Sequence, residues 1–238
     1  YEDIIESFKR IGRSHSFDYW KRGINAGVFY PQFHGREHLQ VSRWMKELEN
    51  GSSETRFAFD ERVYGVSTTV TNDDRRSYLA AYDFDTVEEL YSMCDIVVEG
   101  LNIFEGIFGY KSLSSIAPNY VWNNEIEEVM KENGVRFLQG SSVQRSPEIG
   151  SSGNRNIRHF TGQKNGFDQI HLVRNCQFEP SSDPNRDWVN SCLNDMKTAF
   201  RWGKPAIIES HRLNFVGYIN PKNRNRNLKL FRDLLTKI

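Results

Sequence analysis

The sequence has little of what usually assigns a chain quickly. Its three cysteines, Cys94, Cys176 and Cys192, are odd in number and widely separated, which excludes a disulfide framework and a cysteine metal knuckle. Cys94 and Cys192 fall in apolar helical patterns, where a small buried hydrophobe is expected. Charge of one sign is also missing: 31 Lys and Arg balance 31 Asp and Glu, which argues against a nucleic-acid binder that works by neutralising phosphates. No apolar run reaches the length of a membrane span, and no signal peptide is visible. This leaves the compartment open between cytoplasm and cell envelope. No Pro/Gly/Ser-rich linker divides the 238 residues, so one α/β domain over 1–238 is expected, with small molecules or neutral polymers as partners.

What is present centres on Ala26 to Trp44, AGVFYPQFHGREHLQVSRW. Val28, Phe29 and Tyr30 form a short apolar run that stops at Pro31. A polar turn follows, and then Leu39, Val41, Trp44, Met45 and Leu48 recur at helical spacing, so the stretch reads strand, loop, helix. His34 and His38 stand four residues apart. If the loop is already turning into the helix, both imidazoles lie on one side, where two neutral nitrogens can hold a divalent cation. Histidines hydrogen-bonded to nearby carbonyls are the plainer alternative. Gln32, Arg36 and Glu37 crowd the same turn, a density of polar groups that is costly to bury without a task.

Along the rest of the chain, strands and helices are expected to alternate as in parallel units. A first amphipathic helix within Tyr1 to Arg13 has no clear cap and ends at Gly12; His15 to Trp20 reads as a connector. Phe57 to Val70 alternates weakly, Asn72 to Arg76 is a charged turn, and Tyr78 to Tyr82 reads as a strand. Thr86 and Glu89 have capping-box spacing before an apolar helical face, so Asp83 and Asp85 read as loop residues before that helix. Leu113 to Ala117 and Val135 to Leu138 read as strands, with a helix between them that Gly134 ends. From Gly140 to Gly166 a long polar loop is expected, then a strand over Gln169 to Cys176 with His171 exposed or hydrogen-bonded. Asp183-Pro184 is placed to cap a helix carrying Trp188, Cys192 and Met196. Pro205 to Ser210 reads as a buried strand, and Pro221 starts a last helix with Leu228, Phe231, Leu234 and Leu235 inward.

Three strand ends then carry suggestive groups: His34 with His38, Pro118 to Trp122, and Glu209 to Asn214. In a parallel α/β barrel such ends meet at one mouth, so all three are expected on one side.

The segment His34-Gly35-Arg36-Glu37-His38 resembles the second motif of the polysaccharide deacetylase (NodB-like) family, His-Ser/Thr-x-x-His, which supplies two zinc ligands. Gly35 stands where that family has a hydroxyl. Ile207 to His211 looks like its last motif, a hydrophobic strand ending in the histidine that acts as general acid. Ser115 to Tyr120 looks like its Arg-x-Pro motif, with Ile116 in place of the arginine. The two aspartates of its first motif have no counterpart before His34, where only Glu2, Asp3, Glu6 and Asp18 occur. Either that motif lies upstream of Tyr1 or the protein lacks it.

The resemblance implies a deformed (β/α) barrel, N-terminally incomplete and lacking its N-terminal strand or strands. It also implies metal-dependent removal of acetyl groups from a glycan. Zinc would sit on His34 and His38, and His211 would act as acid. Glu37 and Glu209 are the candidates for a substitute carboxylate. Arg36, Pro118, Asn119, Tyr120, Trp122 and Asn214 would line the sugar site, Tyr120 and Trp122 by stacking, although Trp122 fits core packing as well. Two rival readings remain. One is a catalytically inactive glycan-binding barrel, distinguished by the lack of a third metal ligand. The other is a glycoside hydrolase using Glu37 and Glu209, which would need carboxylates roughly 5 to 10 Å apart.

Overall fold

The computed structural model describes residues 2–64, 77–151 and 153–238 and lays them out as short parallel strands separated by helices. The readings over 72–76 and 65–70 fall outside these residues. Two helices open the chain, α1 (Ile4–Arg10) and α2 (Ser16–Asn25). Asp3 Oδ1 accepts the Ile5 and Glu6 amides, a cap that the sequence reading did not find. The segment read as a connector is helical instead. Phe17 is buried, and Trp20 stacks on Phe108 with ring centroids 6.3 Å apart.

The strand expected at Val28 to Tyr30 does not form. Those residues are 75%, 43% and 55% exposed, and the pairing contracts to Phe33, which is 2% exposed and bridges Ser115 in parallel. Helices α3 (Val41–Glu49) and α4 (Ser53–Asp60) follow, capped by Gln40 and Ser52. Tyr78 to Tyr82 is buried but irregular rather than a strand. Its polar groups are matched by side chains instead of a ladder: Thr55 Oγ1 lies 2.9 Å from the Tyr78 hydroxyl, and Gln40 Nε2 donates to the Asp83 carbonyl. Beneath it, the 6% exposed Arg43 donates to the fully buried Asp83.

Thr86 caps the long helix α5 (Val87–Phe108), accepting the Glu89 amide at 3.2 Å, and Glu89 in return accepts the Asp85 amide. Leu90, Met93, Val97, Leu101 and Phe104 recur on one face and meet Ile126 and Met130 of α6 (Asn124–Glu132) over the main core. Burying each of these side chains stabilises by roughly 1.5–3 kcal/mol. Strands β1 (Ser114–Ile116), β2 (Phe137–Gly140) and β5 (Ile170–Val173) pair in parallel in chain order, with Phe33 beyond β1. β6 (Cys176–Gln177) pairs in parallel with β7 (Ile208–Glu209). Leu138 joins the core under α5 and α6, whereas Phe137 and Gln139, on the opposite face, are only half-buried.

Between β2 and β5 the long polar loop contains an antiparallel hairpin, β3 (Val143–Ser146) with β4 (Arg155–Arg158). α7 (Trp188–Arg201) is capped by Asp187 rather than by Asp183, and α8 (Pro221–Leu235) starts at Pro221 as expected. Of the residues expected inward on α8, Leu234 is fully buried while Leu228 and Leu235 are 45% and 55% exposed. Trp188, Cys192 and Leu234 form a second core with Cys176 and Phe178. The parallel strands run in chain order, as a rolled (β/α) sheet would, but among the described residues they do not close into a barrel. No helix among them is long and apolar enough to cross a membrane.

Candidate functional site

Parallel pairing brings the carboxyl ends of these strands to one side. β5 and β6 are one extended run that changes partner at Arg174. The Arg174 amide donates to Gly140 on one side, and the Cys176 amide donates to Ile207 on the other. The carboxyl ends of both pairs share one rim of the sheet, the crevice of this fold. The residues that follow Phe33, β1, β5, β6 and β7 there are His34, Pro118 to Tyr120, Arg174, Glu179 and His211.

His34 is exposed at the crevice, and its Nδ1 lies 2.8 Å from the Ile116 carbonyl. A carbonyl only accepts, so Nδ1 carries the proton and Nε2 presents a lone pair. The protein around the ring disfavours its charged form and lowers its pKa. The Ile116 carbonyl opposes this, and the charges of His38, Arg174 and His211 add to the lowering. The His38 ring centroid is 5.1 Å from that of His34, at 76°. Two imidazoles on one tetrahedral zinc, with Zn–N about 2.0 Å, place their centroids roughly 5 Å apart. His38 Nδ1 is buried with no hydrogen-bond partner, an open valence that a cation or a water would satisfy. The pair therefore fits a divalent ion. Among the described residues, however, no group of three His, Cys, Asp or Glu is arranged to complete a protein shell.

Gly35 has φ +110°, and a Cβ placed there would lie 2.9 Å from the Glu37 carbonyl. A serine or threonine does not fit this loop, so the glycine is a requirement of its path. Arg36 grips both oxygens of Glu37, Nε to Oε2 at 2.6 Å and Nη2 to Oε1 at 2.7 Å, and also pairs with Glu99. That engagement pushes the Arg36 pKa up and occupies Glu37, one of the two candidate carboxylates. The loop also forms one wall of a cavity of about 740 Å³ whose other side is apolar, with Trp20, Phe104 and Phe108.

Pro118 is buried and starts a tight turn in which Asn119 and Tyr120 both take left-handed φ, 54° and 57°. Two successive non-glycine residues held this way store strain, which persists only where the surroundings fix it. Arg145 Nη2 fixes the Asn119 carbonyl at 2.8 Å. The Tyr120 hydroxyl donates to Glu209 Oε1 at 3.0 Å, and Arg174 Nη1 lies 3.1 Å from that oxygen and 3.2 Å from the hydroxyl. Burial raises the Tyr120 pKa, so the hydroxyl keeps its proton. Trp122, by contrast, is 3% exposed and donates Nε1 to Glu127, so it packs in the core and presents no stacking face.

At β7 the His211 ring is held by Glu179, with Nδ1 2.6 Å from Oε1. The ring's other nitrogen is thereby turned away from the carboxylate. Asn214, expected to contact sugar, is fully buried and donates to Glu179 Oε2 at 2.8 Å, so it positions Glu179 instead. Comparison with protein-family models, curated proteins and solved structures gives no match.

The geometry thus brings together His34, His38, Tyr120, Glu209 and His211, leaves Glu37 with Arg36, and places Trp122 and Asn214 inside. Arg174 and Glu179 were not found from the sequence. The available signal for Arg174 was a charge directly after the apolar pair Leu172 and Val173 in the run read as a strand, Gln169 to Cys176.

Proposed function

We propose that this chain is a polysaccharide deacetylase-like hydrolase built on a deformed, incomplete (β/α) barrel, taking acetyl groups off a glycan. The observation that carries this reading is the pairing of His34 and His38 at ligand-like spacing with an oriented histidine, His211, on the same side of the sheet. His34 Nε2 and His38 would hold a divalent ion, zinc by its preference for imidazole. Bound there, it supplies polarisation of the acetyl carbonyl and a water that is readily deprotonated.

The remaining work falls to the chain's own side chains. Water adds across the C–N or C–O bond, giving acetate and a free amine or hydroxyl, and His211 delivers a proton to the departing group from the nitrogen opposite Glu179. Glu209, held by Arg174 and Tyr120 through Oε1 alone, is the carboxylate better placed to accept the proton of the water, since Arg36 takes both oxygens of Glu37. Asn119 and Tyr120 line the acceptor side on their strained turn.

A second reading, an inactive glycan-binding domain, is favoured by one specific observation: two imidazoles without a third protein ligand among the described residues. The glycoside hydrolase reading draws no such support, because both of its carboxylates are engaged by arginines. Acetate release from a panel of acetylated glycans, with zinc supplied, separates the first two. Release that falls by about 10²–10⁴ in His211→Ala supports the hydrolase. Saturable glycan binding without release supports the inactive domain.

A further inference from the structure

Val173 and Asn175 flank Arg174 on the β5–β6 run, so their side chains leave by the opposite face from the crevice. There they border a second cavity of about 450 Å³, between α7 and the segment that follows β4. Two large rings stand in water at its rim: Trp202, 78% exposed just past the end of α7, and Phe160, 63% exposed. Asp195 and Lys204 line it between them, the Lys204 ammonium 5.9 Å from the Phe160 ring centroid. His159 lines it too, and its Nδ1 is buried without a hydrogen-bond partner.

We propose that this cavity is a binding site for an uncharged stretch of glycan, separate from the crevice, with a sugar ring lying against Trp202. A pyranose presents an apolar C–H face and a rim of hydroxyls. The cavity offers the matching set, exposed aromatic rings with an anion and a cation beside them. One aspartate and one lysine cancel, so the site does not select a polyanion. A wholly apolar ligand would cover Asp195 and Lys204 without giving either a new hydrogen bond. Its volume lies within the range of ordinary ligand sites, and two exposed aromatics beside a concavity mark an interaction surface. The ligand class rests on the glycan reading above; the site itself depends neither on a metal nor on hydrolysis.

The test is titration of the chain with the tetramers of N-acetylglucosamine, cellobiose-type glucose and xylose, followed by tryptophan fluorescence and calorimetry. At least one is expected to saturate. Trp202→Ala should weaken it at least tenfold and Lys204→Met several-fold, with unchanged far-ultraviolet circular dichroism, since both side chains are at the surface. The double variant His34→Ala, His38→Ala should bind as before. Saturation by none of the three overturns the site. So does affinity that survives Trp202→Ala and Phe160→Ala. Binding lost only in the histidine variant would place the sugar in the crevice, which overturns this site while supporting the crevice reading.

Discussion

Oε1 of Glu179 accepts from His211 twice, from the backbone amide at 2.9 Å and at Nδ1 at 2.6 Å, while Oε2 accepts from Asn214. One carboxylate therefore fixes both the strand end and the ring it carries. Glu179→Gln turns one oxygen into an NH₂ that faces existing donors. It should cost about 1–2 kcal/mol in denaturant unfolding. On the hydrolase reading proposed above, it should also lower kcat by roughly 10- to 100-fold with KM little changed, because a misdirected His211 would affect proton transfer rather than binding. A loss seen only in KM would assign Glu179 to substrate contact instead.

Gly100 on α5 lies against the loop that carries His34. A Cβ there would stand 2.9 Å from the Phe33 ring and 2.9 Å from Arg36 Cβ. Alanine would gain up to about 1 kcal/mol in helix propensity. Overpacking costs about 1–3 kcal/mol and should win. Gly100→Ala is predicted to lower the melting temperature and to weaken metal binding by moving Phe33 and Arg36. A stabilised variant would show that this loop has slack.

The Arg43 and Asp83 pair is buried, with Nη1 3.1 Å from Oδ2. Arg43→Met removes the guanidinium that donates to the buried Asp83 carboxylate and should destabilise by about 1–3 kcal/mol, measured by chemical unfolding. A loss well below about 1 kcal/mol would mean that the other contacts of Asp83 suffice to hold its charge.

His171 stacks on His159, with ring centroids 3.7 Å apart. Burial, then the neighbouring His159, pushes the His171 pKa down to about 4, and burial lowers that of His159. Both folded-state values lie below the unfolded ones, so the unfolded chain binds more protons at mildly acidic pH. Their contribution is fully present above about pH 6.5 and is lost as the pH falls toward 4, by on the order of 3 kcal/mol for His171. His171→Phe should flatten the slope of stability against pH between those limits. An unchanged slope would assign it to other groups.

Where side chains repeat with helical period, the sequence was informative. Leu90 to Phe104, Ile126 to Met130 and Trp188 to Met196 all form the faces read from their spacing. Val28 to Tyr30 misled because apolar content does not supply a ladder partner; β1 pairs with Phe33 further on. The β3–β4 hairpin was invisible for the converse reason. Gln144 and Ser146 are its buried residues, so no apolar alternation marks it. In the crevice, His34, His38, Tyr120, Glu209 and His211 stood out because chemistry-bearing side chains follow short apolar runs. Glu179 did not, and Asn214 was read as a sugar contact rather than as the partner of Glu179, since their pairing is a contact across 35 residues of chain, which local pattern does not encode.

The most direct test of the central claim is the zinc content of the protein after dialysis, by elemental analysis, beside the folded double variant His34→Ala, His38→Ala. Near-stoichiometric zinc that disappears in the variant is the predicted result. A protein that retains no zinc after it has been supplied, or a variant that keeps it, would contradict the assignment of these two histidines as metal ligands.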